Sequence, residues 1–135
     1  INEPFLVTNA DLITNLKYNE ILNFHKAYDA DATVGIKKMI YNNPYGVVET
    51  KKIIIKNITE KPSFEFNVNA GIYVFNPKVL NKIKKNTYFD IPDLISQLIK
   101  RKKKVVVFPL YEDWKDLQTP KDLSVWKKYL DVRVV

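Results

Sequence analysis

Short apolar runs alternate with segments of helical spacing along the whole chain, and that alternation leaves few folds open. Pro4-Phe5-Leu6-Val7-Thr8-Asn9-Ala10-Asp11 reads as an apolar strand running into a polar tip. A continuous apolar run of this kind suits a strand buried on both faces of a mainly parallel sheet. Tyr18, Ile21, Leu22 and Tyr28 recur at helical spacing, which predicts a helix over about residues 18–28. Ala32-Thr33-Val34-Gly35-Ile36 is the next strand. Val47-Val48-Glu49 and Ile53-Ile54-Ile55 predict two strands of a hairpin, and Phe66 to Phe75 a further strand interrupted at Asn69-Ala70-Gly71.

The second half continues the alternation. Pro77 opens a short helix ending near Ile83. Asp90 reads as an N-cap with Pro92 in the first turn, and Leu94, Ile95, Leu98 and Ile99 form that helix's apolar stripe. Val105-Val106-Val107-Phe108 is a strand. Thr119-Pro120-Lys121-Asp122 has the form of a capped helix start, with Leu123, Trp126 and Leu130 as the apolar face behind it. Strands alternating with helices predict an α/β fold, and the absence of repeats, low-complexity tracts and linkers predicts a single domain over residues 1–135.

Composition narrows the function classes. A hydrophobic fraction of 46% is that of a globular chain. No apolar run approaches a bilayer-spanning length, so a membrane partner is not expected. There are no cysteines, which removes disulfides and thiolate metal sites and is compatible with a reducing cytoplasm. The net charge of +7 is compatible with nucleic acid, with small phosphorylated ligands, or with a solvated basic surface. The run Lys100-Arg101-Lys102-Lys103-Lys104 carries no interleaved aromatics. It reads as a solvated helix end complementing the helix dipole, so nucleic acid is not expected as a partner.

Several polar residues stand where chemistry could occur. Asp11 ends an apolar strand, where ligands bind in open α/β sheets. It reads either as a ligand for Mg²⁺, which prefers oxygen donors, or as the acid of an Asx-turn. Asp116 lies in a loop ahead of the last helix and carries the same two readings of metal ligand or ordinary loop acid. Lys61, in Glu60-Lys61-Pro62, could neutralise a phosphate or be solvated surface. Asn69-Ala70-Gly71 would let a ligand approach the backbone, or is a bulge. Gly46 after Tyr45 reads as a turn glycine. His25 falls on the apolar face of its helix and reads as a structural histidine.

The order of these blocks is more specific than any one of them. Phe5 to Asp11, Ala30-Asp31-Ala32-Thr33-Val34, Tyr45-Gly46-Val47-Val48-Glu49, Glu60-Lys61-Pro62, Asn69-Ala70-Gly71-Ile72-Tyr73-Val74-Phe75 and Trp114-Lys115-Asp116 with Thr119-Pro120 follow one another with consistent spacing. Together they resemble the nucleotidyltransferases that activate sugar 1-phosphates, such as mannose-1-phosphate guanylyltransferases and glucose-1-phosphate thymidylyltransferases. The resemblance runs from Pro4 to about Trp126 and matches the C-terminal part of that catalytic domain. It implies an incomplete Rossmann-like fold, with a mixed, mainly parallel sheet flanked by helices.

By that resemblance Asp11 and Asp116 would hold Mg²⁺. Lys61 would be the catalytic lysine and would bind the sugar phosphate. Glu60 would bind a sugar hydroxyl, and Gly46, Asn69 and Gly71 would line the sugar pocket. The implied reaction transfers a nucleoside monophosphate from a nucleoside triphosphate, with GTP favoured, to a sugar 1-phosphate and releases pyrophosphate. The family's glycine-rich triphosphate loop has no counterpart among Gly35, Gly46 and Gly71. The expectation is therefore a fragment of an active parent enzyme, inactive by itself, with an exposed sheet edge open to homo-oligomerisation. Asn9-Ala10 before the first aspartate and Gln118 before Thr119-Pro120 depart from the glycines usual there. A non-catalytic homologue of the same fold is the alternative reading, and a basic nucleic-acid-binding module a further one.

Overall fold

A computed structural model describes residues 1–122, 124 and 127. Eight strands are described: β1 (Phe5–Thr8), β2 (Leu12–Thr14), β3 (Ala32–Asn42), β4 (Val47–Lys51), β5 (Ile54–Thr59), β6 (Ser63–Phe75), β7 (Val105–Pro109) and β8 (Trp114–Asp116). The helices are α1 (Tyr18–Ala27) and α2 (Ile91–Lys100), with a 3₁₀ turn over Pro77–Lys82. Local sequence accounts for the starts of α2, the 3₁₀ turn and the segment after Thr119. The Asp90 carboxylate accepts from the Ile91 N–H at 2.8 Å, and the Asn76 side chain accepts from the Lys78 N–H at 3.1 Å. At Thr119, the hydroxyl and Asp122 cap one another reciprocally, as the Thr-Pro-x-Asp pattern predicts. The apolar face expected at Leu123, Trp126 and Leu130 lies outside the described residues.

The main sheet has the order β1-β6-β3-β7. It is mixed, as expected, but its parallel pairing is confined to β3 with β7, since β1–β6 and β3–β6 are antiparallel. The continuous apolar runs reflect cover on both faces rather than strand direction. Ile72 and Val74 of β6 point into a core with Leu16 and Ile21, while Tyr73 and Phe75 point into a second core with Val79, Leu94 and Leu98. Helix α1 therefore covers one face, and α2 with the 3₁₀ turn covers the other. β1 serves both cores through Leu6 on one side and Phe5 and Val7 on the other, but as an edge strand it is only half-buried.

Helix α1 differs from expectation in its buried face. Ile21 and His25 are buried, whereas Tyr18 and Tyr28 at its ends are exposed. Ile99 of α2 is likewise exposed, and Leu94 and Leu98 carry the packing.

The burial of β6 changes abruptly. Residues from Ala70 onward are buried, and those from Ser63 to Asn67 are exposed. β3 shows the mirror pattern, buried at its start and exposed from Lys38. β1 and β7 pair only with the buried ends. The outer halves of β3 and β6 continue as a two-stranded ribbon, and the β4–β5 hairpin follows at its far end.

Candidate active site

The site lies where the four-stranded core gives way to the ribbon. Here the β3–β6 register shifts between Val34 and Ile36, opposite the stretch Ala70-Gly71-Ile72 that follows Asn69. The interruption visible in the sequence is thus a bulge. Gly71 adopts φ +69°, a conformation that a side chain disfavours. Its N–H donates to the Asn69 side-chain oxygen at 3.0 Å, and the Asn69 amide donates to the Tyr73 hydroxyl at 2.8 Å. The Trp114 indole N–H donates to the Ala70 carbonyl at 2.8 Å. These bonds leave the bulge little freedom.

The bulge also fixes the turn that carries Asp11. The Asn9 N–H donates to the Gly71 carbonyl at 2.9 Å. A Cβ on Gly71 would stand 2.7 Å from the Asn9 amide nitrogen, so glycine is what lets the turn approach. Beyond the turn, β2 pairs with β8 in a register that sets Leu12 opposite Asp116. The Leu117 N–H donates to the Asp11 carbonyl at 2.8 Å. Two acids far apart in sequence therefore come close in the fold, Asp11 in the turn just before β2 and Asp116 at the end of the β8 strand that pairs with it. Asp116 is in a strand rather than the loop expected, because β2 supplies a partner for it.

Asp116 is half-buried. Its Oδ2 accepts from the Gln118 amide at 3.1 Å, whereas its buried Oδ1 has no hydrogen-bond partner among the described residues. A buried carboxylate oxygen without a partner is costly in water-excluded surroundings, and a cation would satisfy it. The donor set suits a hard cation. No group of three or more His, Cys, Asp or Glu is assembled among the described residues. Two carboxylates with the remaining positions left to water and phosphate oxygens is the way Mg²⁺ is commonly held.

Asp116 and Asn69 open onto a cavity of about 510 Å³ that is also lined by Lys37, Met39, Trp114 and Lys115. The Lys37 ammonium donates to the Glu112 carbonyl at 2.8 Å, and no carboxylate among the described residues forms an ion pair with it. Lys115 lies 3.5 Å from Asp122, whose carboxyl is held below the ordinary carboxylate range chiefly by the Thr119 hydroxyl. Sequence reasoning missed both lysines as site residues. The available signal for Lys37 was its place just past the apolar run Ala32–Ile36.

Gly46, Glu60 and Lys61 form a separate group at the base of the hairpin. A Cβ on Gly46 would meet the Glu60 Oε2 at 3.0 Å, and the Asn43 N–H donates to the Pro62 carbonyl at 3.0 Å. Lys61 adopts φ +42°. None of the three lines the cavity that Asp116 and Asn69 share. The stretch of β6 from Ser63 to Asn69 runs roughly 20 Å at the usual strand rise. Asn69 and Asp116 share the cavity, whereas Asp11, which is exposed, and Gly71 adjoin it through backbone hydrogen bonds without lining it, and Gly46, Glu60 and Lys61 stand apart. His25 is buried, with its Nδ1 2.8 Å from the Thr33 hydroxyl, and has no place in the cavity.

Comparison with known proteins identifies the family. The chain is 34% identical over 129 residues to the mannose-1-phosphate guanylyltransferase catalytic subunit beta of Drosophila melanogaster, covering 90% of this chain and 33% of that protein. It is 32% identical over 126 residues to the mannose-1-phosphate guanyltransferase of Schizosaccharomyces pombe, covering 90% of this chain and 34% of that one. The chain spans about a third of the length of these curated relatives.

Among solved structures, a Bacillus anthracis protein described as a glucose-1-phosphate thymidylyltransferase shares the fold with a TM-score of 0.64. It is 22% identical, over 91% of this chain and 52% of that one. HddC from Yersinia pseudotuberculosis complexed with GMP-PN shares it with a TM-score of 0.58 at 17% identity, over 94% of this chain and 56% of that one. The family model for nucleotidyl transferases matches residues 2–131, and the chain belongs to that family.

Proposed function

We propose that this chain is the sugar-phosphate side of a cytoplasmic enzyme that transfers a nucleoside monophosphate from a nucleoside triphosphate to a sugar 1-phosphate. A phosphate oxygen of the sugar attacks the α-phosphorus, the α–β bridging bond breaks, and pyrophosphate leaves. The observation that carries the reading is the unpartnered Asp116 Oδ1, buried on a cavity with Lys37, which is in no ion pair with a carboxylate among the described residues. Asp11 and Asp116 would hold Mg²⁺, which when bound supplies charge neutralisation at the phosphate oxygens. Such neutralisation and positioning are the main demands of phosphoryl chemistry.

Asn69 lines the wall where the sugar would lie, and the Gly71 N–H holds its side chain there. Lys37 offers its ammonium to a phosphate from the same cavity. Gly46, Glu60 and Lys61 would act on the sugar phosphate only if the hairpin base is brought to the cavity. GTP is the favoured donor, because the curated relatives are guanylyltransferases by name. Because those relatives are far longer, the reaction is assigned to the longer protein, and this segment by itself is expected to show no turnover.

The test is Asp116→Asn in the longer protein, assayed for Mg²⁺-dependent pyrophosphate release from GTP and mannose 1-phosphate. A loss on the order of 100-fold or more in kcat is expected, the size usual for removing one charge-stabilising group. Turnover retained in the folded variant would remove Asp116 from the metal site.

A further inference from the structure

We infer that the tip of the β4–β5 hairpin is a docking element for an anionic lipid surface. The hairpin forms a two-stranded sheet of its own, and none of its residues belongs to either hydrophobic core. Its tip nevertheless presents isoleucines to solvent. Ile53 is 98% exposed, Ile54 62%, Ile55 60% and Ile58 64%. A concentration of exposed apolar side chains on a projecting element marks an interaction surface rather than incidental exposure. An isolated two-stranded hairpin is marginal in water, so cover for these side chains would also stabilise the element.

Charge identifies the cover. Lys51, Lys52 and Lys56 surround the isoleucines and are all exposed, while Glu49 is the one acid between Val47 and Thr59. Lys52 occupies the turn with φ +56°, and Lys51 pairs with Ile54. An apolar tip ringed by lysines matches the boundary between anionic headgroups and acyl chains. Isoleucines enter the boundary, and lysine stems lie along it with their ammoniums among the phosphates.

A second copy of the chain is disfavoured as the cover, since it would bring like lysine clusters together. Nucleic acid would satisfy the lysines and leave the isoleucines wet, and the tip from Lys51 to Ile58 has no aromatic ring on which a base could stack. This inference departs from the expectation of no membrane partner. That expectation was drawn from the lack of a spanning segment, and the described helices likewise include none long and apolar enough to cross.

The experiment is co-sedimentation of the full-length protein with vesicles of phosphatidylcholine alone or of phosphatidylcholine with phosphatidylglycerol. Binding is expected to the anionic vesicles only, weakened by high salt, and reduced ~10-fold or more by Ile53→Asp. The substituted side chain is almost fully exposed, so folding is preserved, and the tip lies outside the Asp116 cavity, so turnover should be unchanged. An independent reading comes from Ile53→Trp, whose emission should shift to the blue with anionic vesicles and stay unshifted with neutral ones. Failure to bind anionic vesicles at low salt would overturn the inference. So would binding that Ile53→Asp leaves intact, which would assign it to basic surface elsewhere. Self-association abolished by Ile53→Asp without lipid binding would name a second copy as the occupant instead.

Discussion

Replacing Gly71 with alanine tests how the bulge holds the turn that carries Asp11. Two costs can be worked from the structure. Gly71 sits at φ +69°, and an L-residue in that region costs about 1–2 kcal/mol. The new Cβ would also fall 2.7 Å from the Asn9 amide nitrogen and 2.9 Å from its Cγ, closer than real contacts allow. Asn9 is exposed and can shift, so this part lies near the lower end of overpacking costs, about 1 kcal/mol. Gly71→Ala should therefore destabilise by about 2–3 kcal/mol.

The two parts can be separated. Asn9→Ala removes both clashing atoms and leaves the backbone strain. In that background Gly71→Ala should cost only about 1–2 kcal/mol. Urea unfolding followed through Trp114, which bonds to the neighbouring Ala70 carbonyl, measures all corners of the cycle. A Gly71→Ala cost below about 0.5 kcal/mol would refute the strained backbone. An equal cost with and without the Asn9 side chain would refute the close approach of the turn.

Other perturbations have equally definite outcomes. Burial holds the His25 imidazole below its ordinary pKa of 6.5, opposed by the charges of Asp31 and Asp29. The unfolded chain therefore takes up this proton near 6.5 while the folded protein does so only at lower pH. Stability should fall as pH drops below about 6.5 and level off below the folded pKa. His25→Asn should remove this component of the acid slope in pH-dependent denaturation, and an unchanged slope would show that other groups cause it. Trp114→Phe deletes the hydrogen bond to the Ala70 carbonyl. It should cost about 1 kcal/mol in thermal unfolding, and a neutral result would mean the bulge is held by the Asn69 bonds alone.

Local features were legible in the residues themselves. The helix starts at Asp90 and Thr119 were readable because a cap is made by side chains within a few residues of the backbone they satisfy. The bulge at Asn69-Ala70-Gly71 was readable because glycine and asparagine interrupt an otherwise apolar strand. His25 reads as structural and is buried against Thr33. The ends of α1 were misjudged, since periodicity places Tyr18 and Tyr28 on the apolar face but cannot show that the cores stop short of them.

Pairing direction, by contrast, was not contained in the apolar runs. A strand covered by helices on both faces has the same pattern whether its neighbours are parallel or antiparallel. Nor did sequence order reveal that β6 crosses from core to exposed ribbon at Ala70, with Glu60 and Lys61 beyond the ribbon and outside the cavity that Asp116 lines.

By itself, then, the sequence determined most of the elements, though not β2 and β8, together with the caps at Asp90 and Thr119, the bulge and the family resemblance, because each rests on side chains acting on nearby backbone or on the order of short blocks. Tertiary structure alone decided that the Asp11 turn adjoins the strand of Asp116, that Lys37 lines the cavity of Asp116, and that the isoleucines of the hairpin tip are exposed. Those relations depend on which strands pair and in what register, and pairing is settled by the packing of both cores around β6 rather than by any one segment.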